Sequence, residues 1–169
     1  MAKVLLIGWD AADWKVIDPL IDAGLMPTLQ SLIEGGTRGK IATLDPPLSP
    51  TLWTSIATGK RPYKHGIHGF TEPDPSGKQV RPIYNTSRKC KAIWNILTQH
   101  KKKTHVVGWW PSHPAEPING TMISNFYQRA EMRPGKKWDM PNGTVHPADK
   151  ADFFAKLRLH PNEITANHI

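Results

Sequence analysis

An α/β fold with a largely parallel sheet is what this 169-residue sequence predicts, and three observations predict it. Short apolar runs recur as "KVLLIG", "GKIATL", "THVVGWW" and "TMISNF", and continuous rather than alternating apolarity is the pattern of strands buried on both faces. Segments with helical spacing or helix punctuation separate the runs, as crossover helices do in parallel sheets. The composition, 38% hydrophobic and 21% charged, is that of an ordinary folded domain.

In chain order, "KVLLIG" at residues 3–8 is the first strand, and Asp10 lies just past its C-terminal end. A helix follows from about Ala12 through "WKVIDPLIDAG", bent or restarted at Pro19 and stopped at Gly24. A second helix opens at Pro27, a favoured first helical position, and ends at Gly35. "GKIATL" is the second strand, followed by "DPPLS" and a helix from about Pro50 to Ala57, stopped by Gly59. Residues 60–86 hold several prolines and glycines without sustained periodicity and read as one long loop near the site. Ser87 is placed to cap the next helix, whose apolar positions Cys90, Ile93, Trp94 and Leu97 fall at i, i+3, i+4 and i+7. "THVVGWW" and "TMISNF" are the third and fourth strands, and "HPADKADFFAKLRL" is a last helix opened by Pro147.

Bulk properties bound the function. A chain of this size can bury enough surface to fold without disulfides or metals, so any metal serves chemistry. The single cysteine, Cys90, cannot form an internal disulfide, and the chain begins on a strand-like run with no secretory leader pattern; a cytoplasmic location is expected. No apolar run approaches the roughly 20 residues that span a bilayer. The formal charge of +8 suits an anionic ligand without choosing among phosphate esters, nucleic acid and anionic lipid.

The chemistry concentrates where strands end. In a parallel sheet, ligands collect at the carboxyl ends of the strands, where helices point their positive N-termini. Asp10 and Ser49 each follow a predicted strand there. A carboxylate and a hydroxyl converging on a helix N-terminus suit attack on phosphorus: the carboxylate binds a divalent cation, the cation activates the hydroxyl, and backbone N–H groups receive phosphoryl oxygens. Each residue alone reads more readily as a helix cap, and it is their joint placement that points to chemistry.

"GWDAADW" combined with "PPLSPTLWTSIATGKRPYKHGI" resembles the type I phosphodiesterase and nucleotide pyrophosphatase family of the alkaline phosphatase superfamily. Asp10, Ser49, Thr58-Gly59, Pro62 and His65-Gly66-Ile67 stand where that family has its metal-binding aspartate, its Thr or Ser nucleophile, and the end of the following helix. "KAIWNILTQHKKKTHVVGWWPSHPAEPINGTMIS" and "GTVHPADKADFFAKLRLHP" also look like bacterial members. The resemblance implies an alkaline-phosphatase-like α/β/α sandwich and a metal-dependent hydrolase of phosphate mono- or diesters. It implies Ser49 as the nucleophile forming a phospho-serine, Asp10 and Ser49 as metal ligands, and two zinc ions in the complete enzyme. The partner is then a small phosphate ester, with no specific nucleic acid.

The sequence departs from the family in two places. "HGIHGF" puts Phe70 near the position of an asparagine that holds a phosphoryl oxygen in the nucleotide pyrophosphatase branch, so nucleotide specificity is not implied. The family's remaining ligands, an Asp and His pair, an Asp-His dipeptide and a further His, have no counterpart, and Asp139, His146, Asp149 and Asp152 sit in loop-like or surface-helix segments. The expectation is the N-terminal part of one phosphodiesterase-like domain across residues 1–169, with a sheet incomplete on its C-terminal side and no activity on its own. The alternative is a non-catalytic basic domain in which "SRKCKAIWNILTQHKKK" contacts nucleic acid or an anionic surface. A sulfatase or phosphoglycerate mutase relative shares the architecture but fits the "TGKRPYKHGI" spacing less well. His65 is expected to order its loop through a hydrogen bond, His68, His113 and His146 to be structural, and Trp109 and Trp110 to pack. Lys60, Arg61 and Lys64 read as solvated surface or as a steering patch for phosphate.

Overall fold

The computed structural model describes residues 3–129 and 138–166. The chain divides into two compact units, Met1–Thr43 and Leu44–Ile169, and its architecture is mixed α/β.

In the first unit, helix α1 (Trp14–Asp22) opens on Asp13, whose carboxylate accepts the Lys15 N–H at 2.9 Å. Of the bend or restart expected at Pro19, the restart does not occur: the helix continues through it. Pro19 lacks only its own donor, and its carbonyl accepts from Ala23 at 3.1 Å. Gly24 ends α1 at φ 73°, with Gly24 N–H bonded to Ile21 O and Leu25 N–H to Leu20 O, the paired bonds of a left-handed glycine stop. Helix α2 (Pro27–Glu34) starts on its proline and ends at Gly35.

The two predicted strands at residues 3–8 and 39–44 are irregular, and neither forms a ladder among the described residues. Val4, Leu5, Leu6 and Ile7 are 63–92% exposed and Ile41 is 93% exposed. Apolarity on both faces marks a segment that needs neighbours on both sides; without a paired strand the backbone has no ladder to complete.

In the second unit, helix α3 (Ser49–Thr58) ends at Gly59 in the left-handed region. The supposed loop at residues 60–86 contains a one-turn helix α4 (Pro62–His65), closed by Gly66, and a hairpin of β1 (Thr71–Pro73) and β2 (Val80–Pro82). The hairpin pairs Glu72 with Arg81, which also form an ion pair at 2.7 Å. Its turn is tied by the Asp74 carboxylate, which accepts from Ser76 Oγ and from the Lys78 and Gln79 amides. Side-chain hydrogen bonding, not periodicity, organises this stretch.

Helix α5 (Ile93–Gln99) has its N-cap at Ala92, five residues beyond the expected cap at Ser87. Ser87 instead donates to Glu72 Oε1 at 2.7 Å and closes a 3-10 turn over Asn85–Ser87. The Asn95 side chain accepts the Ala92 N–H at α5's true start. Of the expected apolar stripe, Trp94 is buried while Ile93 is 46% exposed.

Strands β3 (Thr104–Val107), β4 (Gly120–Ile123) and β5 (Val145–His146) form one sheet in that order, β3 and β4 parallel and β4 and β5 antiparallel. Gly120 has φ 152°, and a Cβ there would lie 1.9 Å from the Thr104 carbonyl oxygen, so glycine is what lets β3 and β4 approach at their first pair. The predicted last helix is shorter than its sequence pattern: a 3-10 turn over Ala148–Lys150 leads into α6 (Ala151–Ala155). Ala57, Ala92, Trp94, Val106, Ile118 and Met122 make the core, with Trp109 packed against it. Trp109 meets Trp53 and Trp94 edge-on at 5.3 and 6.1 Å and donates Nε1–H to the Trp53 carbonyl at 3.0 Å. Its role is packing, as expected.

Candidate active site

Ser49 is the first residue of α3, following the extended Leu48, which occupies the cap position without a side-chain bond. Pro50 is fully buried and Thr51 is 6% exposed, so the helix enters the unit at its first turn and Ser49, half-buried, sits at the entry. The opening amides of any helix lack intrahelical acceptors, and their partial positive charge favours an oxyanion. Leu52 N–H already closes onto Leu48 O at 3.0 Å, which fixes the first turn.

A row of hydroxyls runs along α3, each donating to the carbonyl four residues back: Thr54 Oγ1 to Pro50 at 2.6 Å, Ser55 Oγ to Thr51 at 2.8 Å and Thr58 Oγ1 to Thr54 at 2.7 Å. Thr51 differs. Its Oγ1 is buried without a hydrogen-bond partner, so it does not cap the helix as its position suggests.

His65 is fully buried. Its Nδ1 accepts the Ile67 N–H at 3.1 Å, so the neutral ring carries its proton on Nε2, which faces Ser55 Oγ at 3.0 Å. Desolvation pushes its pKa below the usual histidine range, helped by the nearby His68 and Arg88 and opposed by hydrogen bonding of the ring to the Thr51 backbone carbonyl. The His65 carbonyl accepts from Lys89 N–H at 2.9 Å. Gly66 follows at φ 80°, and the Lys89 stem crosses it so closely that a Cβ would come within 2.8 Å. The same segment returns to α3, where a Cβ on Gly69 would lie 4.0 Å from Leu48 Cδ1. The expectation that His65 orders its loop is met, and it also reaches the helix that begins with Ser49.

Phe70 is 49% exposed and leans on Trp110 with ring centroids 5.2 Å apart; it offers no polar group to a phosphoryl oxygen. Lys60, Arg61 and Lys64 are exposed. His113 is half-buried, stacked on Phe126 at 4.0 Å with Nδ1 facing Ser124 Oγ at 3.1 Å, and desolvation and Arg129 lower its pKa. Asp10 is exposed in the first unit, and its carboxylate accepts the Ala11 N–H at 3.1 Å. Asp139, Asp149 and Asp152 are exposed, and His146 is half-buried in β5. Among the described residues no group of three or more His, Cys, Asp or Glu side chains could hold a metal ion.

The sequence reading missed two groups. Ser55 joins His65 to α3; the hydroxyls at 51, 54, 55 and 58 share helical spacing and were the available signal. Glu116 accepts from Arg88 Nη2 at 2.7 and 2.8 Å, from Trp94 Nε1 at 2.7 Å and from Asn95 Nδ2 at 3.1 Å. Nothing local marks Glu116, because its partners lie 21 to 28 residues away. Arg88, counted in the basic segment that could meet nucleic acid, is thereby committed inside the fold, with its side chain 6% exposed. Among the described residues no helix is long and apolar enough to cross a membrane.

A family model described as type I phosphodiesterase / nucleotide pyrophosphatase matches residues 4–160, nearly the whole chain. Comparison with curated proteins and with solved structures gave no match.

Proposed function

The chain belongs to the type I phosphodiesterase / nucleotide pyrophosphatase family, and from that premise we propose that it is a hydrolase of phosphate mono- or diesters with Ser49 as its nucleophile. The observation that carries this reading is the position of Ser49 as the first residue of α3, in the motif that closes with Thr58-Gly59 and His65-Gly66-Ile67. Ser49 Oγ attacks phosphorus and the bond to the leaving alcohol breaks, the alcohol departing with a proton. The phosphoryl group, or its monoester when the substrate is a diester, remains on Oγ. Water then attacks phosphorus and the Oγ–P bond breaks, restoring the serine. The helix N-terminus favours the charge that builds on the phosphoryl oxygens in both steps.

The family's chemistry implies divalent ions, zinc by resemblance, which would activate the hydroxyl and the water. Asp10 is proposed as one carboxylate ligand. The described residues do not fit a complete ion site, since no three candidate ligands come together. The proposed architecture around this chemistry is the α/β/α sandwich with a largely parallel sheet. The lone Cys90 is consistent with a reducing, cytoplasmic setting.

The test is a kinetic comparison on the product of the complete reading frame, supplied with zinc and bis(p-nitrophenyl) phosphate. Ser49→Ala is expected to lower kcat/KM by roughly a thousandfold or more, because the covalent route is lost. Thr51→Ala is expected to do far less, since its hydroxyl is buried without a partner. A larger loss from Thr51→Ala would overturn the choice of nucleophile. The 169-residue chain by itself is expected to give no chelator-sensitive hydrolysis above background.

A further inference from the structure

We infer that His65 is a positioning residue for Ser49: as the neutral, Nε2-protonated tautomer it locks the His65-Gly66-Ile67 turn onto the first turn of α3 through Ser55. The inference rests on reading Ser49 as the reacting residue, and its geometry lies wholly within the second unit.

The hydrogen bonds have one consistent direction. Ile67 N–H can only donate, so Nδ1 must accept, at 3.1 Å; Nε2 then holds the ring's single proton and donates to Ser55 Oγ at 3.0 Å. Ser55 donates its own O–H to the Thr51 carbonyl at 2.8 Å. Thr51 lies two residues after Ser49, and the Pro50 carbonyl between them is held by Thr54 Oγ1. The other end of the relay is equally fixed. Lys89 N–H binds the His65 carbonyl, and the Lys89 stem covers Gly66 where no Cβ fits. His65 and Ile67 are both fully buried and Ser55 is half-buried, so breaking the link leaves the His65 ring nitrogen short of a partner inside the fold. A nucleophile displaced by about 1 Å can lose about a hundredfold in rate, which gives a rigid first turn its value here.

The relay is tested without turnover, by NMR on the full chain at neutral pH. The long-range ¹H–¹⁵N spectrum of the unsubstituted protein is expected to show His65 protonated on Nε2 and bare on Nδ1. Ser55→Ala is expected to shift the His65 Nε2 resonance and raise exchange of the Leu52 amide, which closes the first turn, by about tenfold, the effect of one lost internal hydrogen bond. Ser55→Thr, which keeps the hydroxyl, is expected to restore both. A ring protonated on Nδ1 would overturn the inference whatever the variants do. So would a Leu52 exchange rate unchanged by Ser55→Ala, or a Ser55→Thr variant indistinguishable from Ser55→Ala. If these spectra come out as stated while Ser49→Ala retains full turnover, the relay stands and the reading of Ser49 falls.

Discussion

Ser49 and Thr51 flank one proline, and the structure treats them differently: Ser49 is half-buried at the helix entry, whereas Thr51 turns its hydroxyl into the interior. At the same scale, His65 and His113 are both held neutral by burial, and both bind a proton less readily folded than unfolded. The sign of the pH effect follows. Below about pH 6.5, the ordinary histidine value, the unfolded chain takes up more protons than the folded one. Stability is therefore full above that pH and falls as pH drops toward the lowered folded-state values. Asp74, held below the usual carboxylate range by the Ser76 hydroxyl, titrates under this window. Urea unfolding at pH 7.5 and 5.5 is expected to give the lower midpoint at 5.5; equal midpoints, or a higher one at 5.5, would contradict the assignment. The position of Ser49 at the opening of α3 was legible because Pro50 and Gly59 punctuate that helix in the sequence. The burial of Thr51's hydroxyl was not, because a local pattern does not report which hydroxyl faces the core.

At the scale of elements, helix ends were legible where a glycine or proline sets the backbone. Gly24, Gly35 and Gly59 close α1, α2 and α3 where the sequence places them, and Pro27 opens α2. The start of α5 was not, because long-range bonds decide it. Arg88 is turned toward Glu116, Lys89 is tied to His65, and the chain stays non-helical until Ala92. The loop that carries Glu116 is thereby fastened to α5 through Trp94 and Asn95 as well as to Arg88. Glu116→Ala leaves Arg88 buried without its counter-charge, and the expected loss of unfolding free energy is about 3–5 kcal/mol. Glu116→Gln, which keeps hydrogen-bonding capacity but not charge, is expected to lose less. Denaturant titration of the three proteins checks this, and a loss under about 1 kcal/mol for Glu116→Ala would show that the network contributes little.

At the scale of the whole chain, the mixed α/β class was legible from alternating apolar runs and helical segments; β3 lies within the run expected for it, and β4 overlaps its run but starts one residue earlier, at Gly120. The largely parallel sheet was not reproduced by the described residues: one strand pair is parallel, and residues 3–8 and 39–44 form no ladder. Apolar patterning tells which faces seek cover and not which segment supplies it. A metal site would follow the same logic at larger range, since ligands far apart in sequence cannot be joined by spacing alone. The claim on which the rest depends is that Ser49 is the group that takes phosphorus. It is tested most directly by quenching the complete-reading-frame enzyme in acid during turnover of a phosphate monoester and mapping the modified peptide by mass spectrometry. A phosphoryl group on Ser49, absent from Ser49→Ala, is the result this account predicts. A phosphoryl group on Thr51, or turnover that Ser49→Ala leaves intact, would contradict it.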